Sequence, residues 1–176
     1  PFVMPMFCRD GALNDVRGLG LNLVVELDAA QLAIVRIPEE LSSLVSLPTG
    51  RAGKEGACTG KVLRRGDAFV CLRQVVAANL HHVFPGARIR SAHAFRIIRD
   101  ADIIVEPAVA EDLPARTITV VRQRETNPIQ MMVVERAAPG RVVDRLAEAL
   151  SVSSEAIVHV RDVLDLKRLW DFSQLR

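Results

Sequence analysis

The sequence predicts an α+β fold: one mixed sheet with helices packed on it, an N-terminal hairpin part and a C-terminal β-α-β-α-β part. Two β-rich runs at residues 21–27 and 32–37 are separated by a gap of turn length, which predicts the hairpin. The second half alternates short β-rich runs with stretches of helical periodicity. A chain of 176 residues with 49% hydrophobic content is large enough for one domain with a sizeable core.

The N-terminal part is predicted to begin irregularly and then to form the hairpin. Prolines and glycines punctuate residues 1–20, which favours irregular backbone over a packed element. Pro38 ends the second hairpin strand, because proline cannot donate to a β-ladder. Residues 44–47 are then predicted to form a short extended piece.

A glycine-rich stretch at about residues 48–62 is predicted to be a flexible surface loop, because it has no apolar periodicity. Gly60 and Lys61 at its end suggest a phosphate-binding P-loop as an alternative. The spacing does not fit, since Glu55 stands where that motif has glycine and Val62 where it has serine or threonine. The loop interpretation is therefore preferred.

Helical periodicity predicts one helix from Leu72 through Phe84, after a short strand at residues 67–71. Pro85 and Gly86 end this helix, since proline lacks an N–H and glycine tolerates positive φ. The helix is expected to lead directly into an extended segment.

His81 and His82 fall in the last turn of that helix and have two interpretations. They are either anion contacts or acid/base groups, or cations that favour the negative end of the helix dipole. Neither has a carboxylate nearby in sequence to orient it, so the second interpretation is preferred.

Residues 87–98 are predicted to form the central strand, since this run becomes apolar on both faces toward its end. Residues 103–105 continue the strand or pair with it. A helix beginning at Glu106 and Pro107 follows, although the β-branched residues 117–121 argue against it by propensity.

The C-terminal part has the pattern strand, helix, strand, helix. A buried strand is predicted at residues 128–135, a helix with an apolar stripe at 139–150 and a strand at 156–160. A closing helix is expected from Asp165 to Phe172, anchored by Leu166, Leu169 and Trp170. Helices between strands predict right-handed crossovers in this half.

The charge, the cysteines and the apolar runs of the sequence limit the partners and the location that are expected. The net charge of +2 neither demands nor forbids an anionic partner, and no nucleic-acid partner is expected. Cys8, Cys58 and Cys71 have no metal-ligand spacing, which indicates a reducing compartment and argues against zinc. We find no basic leader and no apolar run of the ~20 residues that span a bilayer, so a cytoplasmic location without a transmembrane segment is expected. The absence of an initiator Met suggests a piece of a longer protein.

Several short motifs follow one another in an order that a known family shares. They are an opening Pro-rich segment with an Asn-Leu strand (1–27), a strand and turn (32–48), Leu80-x-x-Val83-Phe84-Pro85-Gly86, Phe95-Arg96-Ile97-x-Arg99-Asp100-Ala101-Asp102, Ala110-Glu111-Asp112-Leu113 and Leu164-Asp165-Leu166-x-x-Leu169. Over residues 1–176 the chain resembles the middle, or head, domain of type 1 polyphosphate kinases. Ala94, where the family often has an aromatic residue, indicates a divergent member.

The resemblance implies a fragment of a larger enzyme that moves the γ-phosphoryl of ATP reversibly onto polyphosphate through a phosphohistidine. The family's catalytic histidine and phosphate-binding arginines lie in C-terminal domains, so the chain alone is expected to be inactive. No catalytic, cofactor-binding or metal residue is expected here, and ATP and Mg²⁺ belong to the parent enzyme. The resemblance further implies a helix through Gln123, a structural and dimerisation role, and a cytoplasmic parent enzyme that is also a candidate for peripheral membrane association.

Arginines supply the candidate binding residues of this chain. The candidate polyanion-facing residues are Arg88, Arg90, Arg96 and Arg99, joined on the next element by Arg116, Arg122 and Arg124. One interpretation is a positive face that guides polyphosphate. The other is a solvated rim, preferred here because interspersed carboxylates cancel the charge over a Debye length of ~8 Å.

Three functions remain open from the sequence. They are a non-catalytic polyphosphate kinase domain, a free-standing polyanion-binding or regulatory module with the same fold, and a small enzyme that uses His81 and His82. The first is preferred, with the other domains of the same polypeptide and a second copy as partners. Apolar residues expected at the surface, Phe2, Phe7 and Trp170, favour self-association.

Overall fold

The computed structural model of the chain describes residues 5–7, 16, 18, 20–28, 31–47, 68–100 and 127–161. The strands described are β1 (Pro5–Phe7), β2 (Asn22–Leu27), β3 (Leu32–Arg36), β4 (Leu44–Ser46), β5 (Phe69–Cys71), β6 (Ile89–Arg99), β7 (Ile129–Glu135) and β8 (Ile157–Val160). The helices are α1 (Leu72–Ala78), α2 (Leu80–Val83) and α3 (Gly140–Leu150), with a 3-10 turn at Ser154–Ala156. The predicted loop at 48–62, the helix after Glu106 and the closing helix lie outside the described residues.

Six strands form one mixed sheet in the order β1-β3-β2-β6-β7-β8, and β4 pairs with β5 in a separate two-stranded sheet. Strands β7 and β8 are parallel, whereas the other neighbours in the large sheet are antiparallel. The predicted α+β fold with one mixed sheet is therefore confirmed. Strand β6 lies between β2 and β7, so its predicted central position is confirmed as well.

The predicted hairpin is present as β2 and β3, with Val24 opposite Ile34. The Leu27 N–H donates to the Gln31 carbonyl at 2.8 Å and closes the turn. Both strands are almost fully buried, because alternate residues of each belong to the apolar clusters on the two faces of the sheet. Alternating apolar residues therefore fill both cores of the domain.

The expectation of irregular backbone throughout residues 1–20 is wrong at β1. Pro5–Phe7 pairs antiparallel with β3, with Met6 opposite Ile34. This strand is three residues long and lies at the edge of the sheet. A proline at the first residue of an edge strand is tolerated, because its missing N–H removes no central hydrogen bond.

The single helix predicted from Leu72 to Phe84 is divided into α1 and α2. Asn79 lies between them with φ −109° and ψ 14°, and its side-chain amide donates to the Val75 carbonyl at 2.8 Å. This local hydrogen bond competes with the helical pattern, which is how asparagine ends helices. The predicted stop is confirmed, since Gly86 has φ +76°.

The predicted crossovers of the C-terminal part are only partly present. Helix α3 connects the parallel strands β7 and β8, as expected for a β-α-β unit. Strands β6 and β7 are antiparallel, so the prediction of a crossover between them is wrong. The chain leaves β6 and enters β7 at the same end of the sheet, so no crossover is needed. The rule of right-handed crossovers applies only to parallel strands.

Each face of the sheet has its own apolar core. Helix α3 packs Val142, Leu146 and Leu150 onto a face that carries Phe95, Ile97, Met132 and Val134. The opposite face packs Val25, Val35 and Ala94 against Leu72 of α1, Leu80 of α2 and Phe84. Within the described ranges, no helix has the length and apolarity needed to cross a membrane. The domain is thus a sheet covered on both sides, which fixes the positions of the strand ends.

Candidate functional site

One end of the sheet collects the polar and charged side chains of several elements. Strands β2, β7 and β8 run in the same direction; β2 ends beside the beginning of β6, whereas β7 ends beside Ala94 in the middle of β6, from where the chain continues to the N-terminus of α3. We call this region the basic end, defined by five exposed arginines: Arg88, Arg90, Arg136, Arg141 and Arg161. The carboxylates that lie among them are Glu26, Asp28 and Glu135.

Glu26 is the buried centre of the basic end. It lies on β2 with 3% of its surface exposed, and its carboxylate accepts from Arg141 Nε at 3.1 Å and Nη2 at 2.9 Å. The Ser91 hydroxyl donates to the same carboxylate at 3.2 Å. Hydrogen bonding from Arg141 is the largest influence on the pKa of Glu26 and lowers it, with help from Ser91 and the charge of Arg90, although burial acts to raise it. The ionised carboxylate therefore joins the start of α3 to the central strands.

The other two carboxylates of the basic end are also paired with arginine. Asp28 lies 3.2 Å from Arg90 Nε, in a pair whose side chains are about half exposed. Glu135 accepts the Ala94 N–H at 3.1 Å, and its other oxygen lies 3.8 Å from Arg73 Nη1. Glu135 thus caps the point where β7 ends beside β6. All three acidic side chains are therefore engaged within the domain.

His93 lies on β6 beside this network and is mostly buried. Its Nδ1 is 3.9 Å from the Glu135 carboxylate, which is beyond hydrogen-bonding distance. Burial lowers the pKa of His93 and outweighs the opposing charges of Glu135 and Glu26. Its Nε2 is buried and finds no hydrogen-bond partner in the part of the chain that the structure describes. A nitrogen that is shielded in this way is poorly placed to attack a phosphoryl group that arrives from solvent.

His81 and His82 lie on α2, away from the sheet. Both are exposed, and their rings are tilted with centroids 3.9 Å apart. Among the described residues, neither has a carboxylate within ion-pair distance. His159 is exposed on β8. None of these histidines is therefore placed with a base or an acid that would activate it.

The four arginines predicted to face a polyanion are divided between two ends of β6. Arg88 and Arg90 lie at the basic end and are exposed. Arg99 lies at the opposite end, about 33 Å along the strand from its start, and is buried. Its guanidinium donates to the carbonyls of Val16 (3.0 Å) and Asn127. Arg96 is half-buried in between, with an Nε that has no partner among the described residues. Their contact with a polyanion stays a prediction, and Arg116, Arg122 and Arg124 lie outside the described residues.

Sequence reasoning missed three arginines of the basic end. Arg136 and Arg161 directly follow β7 and β8, and Arg141 lies in the first turn of α3. The sequence does place each of these arginines directly after a predicted strand or at the start of a predicted helix, where α/β units bind ligands. Nothing in the sequence groups them with Arg88 and Arg90, because the three residues are distant from these two along the chain.

The described residues do not fit a magnesium site. No group of three His, Cys, Asp or Glu side chains comes together within the described ranges. The nearest set of carboxylates, at the basic end, is paired with arginine, which opposes binding of a divalent cation. The arrangement can bind an anion or hold two elements together.

Comparison with known proteins gives a consistent result. A family model described as polyphosphate kinase middle domain matches residues 1–172. Polyphosphate kinase of Mycolicibacterium paratuberculosis is 34% identical over 166 residues, which are 91% of this chain and 22% of the relative. That of Mycobacterium avium is 35% identical over 167 residues, or 92% of this chain and 21% of the relative.

A solved structure shares the fold. The crystal structure of polyphosphate kinase from Porphyromonas gingivalis aligns with a TM-score of 0.66 at 16% identity, covering 99% of this chain and 23% of that one. At this identity the likeness concerns the fold alone. The chain spans about a fifth of the length of the curated relatives it matches.

Proposed function

The chain belongs to the polyphosphate kinase middle-domain family, and from that premise we propose that it is the non-catalytic structural and dimerisation domain of a polyphosphate kinase. The observation that carries the proposal is the family match over residues 1–172 in a chain that covers only 22% of its relative. A domain of this size inside a much longer enzyme contributes one part of its architecture.

In this proposal the parent enzyme transfers the γ-phosphoryl of ATP reversibly to polyphosphate through a phosphohistidine outside this chain. ATP and Mg²⁺ bind to the other domains. The environments of the described histidines support this division of roles, because Nε2 of His93 is shielded and His81 and His82 have no carboxylate within ion-pair distance among the described residues. Phosphoryl transfer requires clustered cations or metal ions around an activated nucleophile.

The surface of the domain supports contacts with other domains or with a second copy. Among the described residues five large apolar side chains are exposed, and the three most exposed are Phe7 on β1 at 49%, Leu47 after β4 at 46% and Val158 on β8 at 41%. Phe7 and Val158 lie on β1 and β8, the outermost strands of the sheet in the part of the chain that the structure describes, and an outermost strand can pair with a neighbour. Phe2 and Trp170, also expected at the surface, lie outside the described residues.

The test is the activity of the 176-residue chain beside that of a chimera. We expect no ATP-dependent polyphosphate synthesis by the folded chain alone, with folding checked by circular dichroism. Replacing the matching region of the M. paratuberculosis enzyme by this chain is expected to keep polyphosphate synthesis above that of an enzyme lacking the region. Synthesis by the isolated chain that is lost on His82→Ala would contradict the proposal and favour a small enzyme.

Dimerisation is tested separately by sedimentation equilibrium. The chain is expected to shift from monomer to dimer as its concentration increases. A monomer over the whole concentration range would remove the dimerisation role while leaving the architectural role in place.

The basic end favours a second candidate, a polyanion-binding module with the same fold. Five exposed arginines near three internally paired carboxylates leave positive charge at the surface. The two candidates are compatible, because a middle domain can carry architecture and bind a polyanion. Filter binding of labelled polyphosphate at low and moderate salt distinguishes them, since a purely architectural domain retains none.

A further inference from the structure

We propose that the basic end is a binding site for a linear polyphosphate chain, with Arg136 and Arg161 as its principal contacts and Arg88 as a flanking one. The choice of polyphosphate as the anion rests on the proposed function, whereas the existence of an anion site rests on the structure. The site lies at the carboxyl ends of β7 and β8 and is distinct from the arginines predicted on the far half of β6.

Backbone pairing holds Arg136 and Arg161 side by side. Glu135 and Val160 are partners in the parallel ladder, and each arginine follows one of them. The Arg136 N–H donates to the Val160 carbonyl at 2.6 Å, which extends the pairing beyond the strand ends. Adjacent strands lie about 4.8 Å apart. Two long side chains that start from neighbouring backbone positions can reach the same anion.

The neighbouring carboxylates do not compete for this site. Glu26 is bound by Arg141, Asp28 by Arg90 and Glu135 by Arg73. In contrast, Arg88, Arg136 and Arg161 have no carboxylate within ion-pair distance among the described residues. An arriving anion thus meets guanidinium groups whose donors are hydrated rather than paired, and these can form charge-assisted hydrogen bonds.

The start of α3 adds to the positive potential. Its first turn contains no acidic residue, and Pro139 supplies no side-chain cap to the backbone N–H groups. Gly140 faces open space, since a Cβ placed there would meet nothing within 4 Å. Asp144, one turn further along, is the nearest exposed carboxylate of this helix. The helix end supports the arginine pair but is not itself the site.

The geometry favours polyphosphate over single-stranded nucleic acid. Proteins that bind single strands without sequence preference combine a basic groove with aromatic side chains on which bases stack. The exposed phenylalanine Phe7 lies on β1, four strands from β7, which is roughly 19 Å. Arg136 and Arg161 therefore lack a phenylalanine or tryptophan platform in the described part of the domain. A chain with a charge on every unit needs only the guanidinium groups.

The experiment measures binding of fluorescently labelled polyphosphate to the 176-residue chain by anisotropy at several salt concentrations. The wild-type chain is expected to bind with strong salt dependence. The double variant Arg136→Gln/Arg161→Gln is expected to bind about tenfold more weakly, and two lost contacts reduce the slope of log K against log salt by about 1.4. Arg136→Lys/Arg161→Lys keeps both charges and should retain most of the affinity.

The control is Arg36→Gln, on β3, compared with each single variant Arg136→Gln and Arg161→Gln. Arg36 lies opposite Asn22, three strands or roughly 14 Å from β7, and pairs with Glu39 at 2.9 Å; removing it changes the net charge by the same amount. Equal losses of polyphosphate affinity in all three single variants would overturn the proposed site. Absence of polyphosphate binding by the wild-type chain at low salt would also overturn it.

Single-stranded DNA of equal charge provides the second arm. Binding as tight as that of polyphosphate would overturn the choice of ligand. The chimera and sedimentation experiments are independent of this measurement. If the chimera is active but the isolated 176-residue chain binds no polyphosphate, the proposed binding site is wrong and the proposed architectural function stands.

Discussion

Strand β6 carries an arginine near each end, and the two lie in opposite environments. Arg99 is buried, and its guanidinium donates to the carbonyls of Val16 and Asn127. Arg90 is exposed and pairs with Asp28 at the surface. Burial makes the first a structural group, because its desolvation has to be offset by internal hydrogen bonds, whereas the second keeps its hydration.

The comparison extends to the two ends of the whole sheet. At the basic end, five arginines are exposed and the carboxylates are paired internally. At the opposite end of β6, Arg99 is buried; Asn22, at the start of β2, is buried as well, and its amide donates to the Gly20 carbonyl at 3.2 Å. The buried polar groups stabilise the fold, whereas Arg88, Arg136 and Arg161 at the basic end remain available to a ligand. Mutations of these two sets of residues should therefore separate stability from binding.

The largest effect is expected at the buried end. Arg99→Met leaves the carbonyls of Val16 and Asn127 without their charged donor, and we expect a loss of about 3 kcal/mol in the free energy of unfolding. Urea denaturation followed by circular dichroism measures it. Arg90→Met, at the exposed end of the same strand, is the control and should cost less than about 1 kcal/mol. Similar losses in the free energy of unfolding for both variants would show that burial does not distinguish the two arginines.

The next effect concerns the buried carboxylate of the basic end. Glu26→Gln preserves the side-chain shape but removes the ionised acceptor of Arg141 and Ser91. We expect a loss of about 1.5 kcal/mol, at the lower end for a charged hydrogen bond because Arg141 is largely exposed and screened. Unfolding at neutral pH measures this value, and an unchanged stability would show that the pair contributes nothing.

The difference in stability between the wild type and Glu26→Gln is expected to depend on pH. The pKa of Glu26 is lowered from its ordinary value of 4.5 in the folded chain, so the ionised form stabilises the fold. That contribution is complete above about pH 4.5 and is lost as the pH falls through the lowered pKa. The stability difference between wild type and Glu26→Gln should therefore shrink on acidification, and a constant difference would contradict it.

A smaller effect of opposite sign is expected where α3 ends, on the side of the sheet away from the basic end. Ser151 has φ 55° and ψ 43°, the left-handed region in which a Cβ is unfavourable. Ser151→Gly should raise the free energy of unfolding by about 0.5 kcal/mol, after the greater freedom of glycine in the unfolded chain is subtracted. Glu148→Gly, inside the helix, is the control and should lower it by about 1 kcal/mol.

The smallest stability effect is expected for the proposed contacts themselves. Arg136→Gln/Arg161→Gln should change the free energy of unfolding by no more than about 0.5 kcal/mol, because both side chains are exposed and unpaired in the described part of the domain. A larger loss would show that these arginines belong to the structure, as Arg99 does.

Much of the fold follows from local patterns. Alternating apolar residues and a turn predict β2 and β3, and the stripe of Val142, Val143, Leu146 and Leu150 predicts α3. The helix break at Asn79 was missed because the apolar spacing continues across it, while the side chain of Asn79 bonds to Val75 instead. The pairing of β1 was missed because three residues with one proline carry little pattern.

The candidate site was predictable only in part. The sequence points to Arg88 and Arg90, which lie in or beside a strongly patterned strand, and proximity in sequence groups Arg96 and Arg99 with them. The register of β6 separates these four residues, and the parallel pairing of β7 with β8 brings Arg136 beside Arg161. Proximity in sequence was thus a poor guide to proximity in space.

The sequence by itself determined the family, the α+β class and the elements with strong apolar periodicity, because these depend on side-chain patterns repeated over neighbouring residues. Only the tertiary structure decided that β6 and β7 are antiparallel, that Arg99 is buried, and that Arg136, Arg141 and Arg161 lie at one end of the sheet. These features depend on which strand ends meet. Which strand ends lie together is decided by how distant segments pack into the two cores, and a local sequence pattern does not predict it.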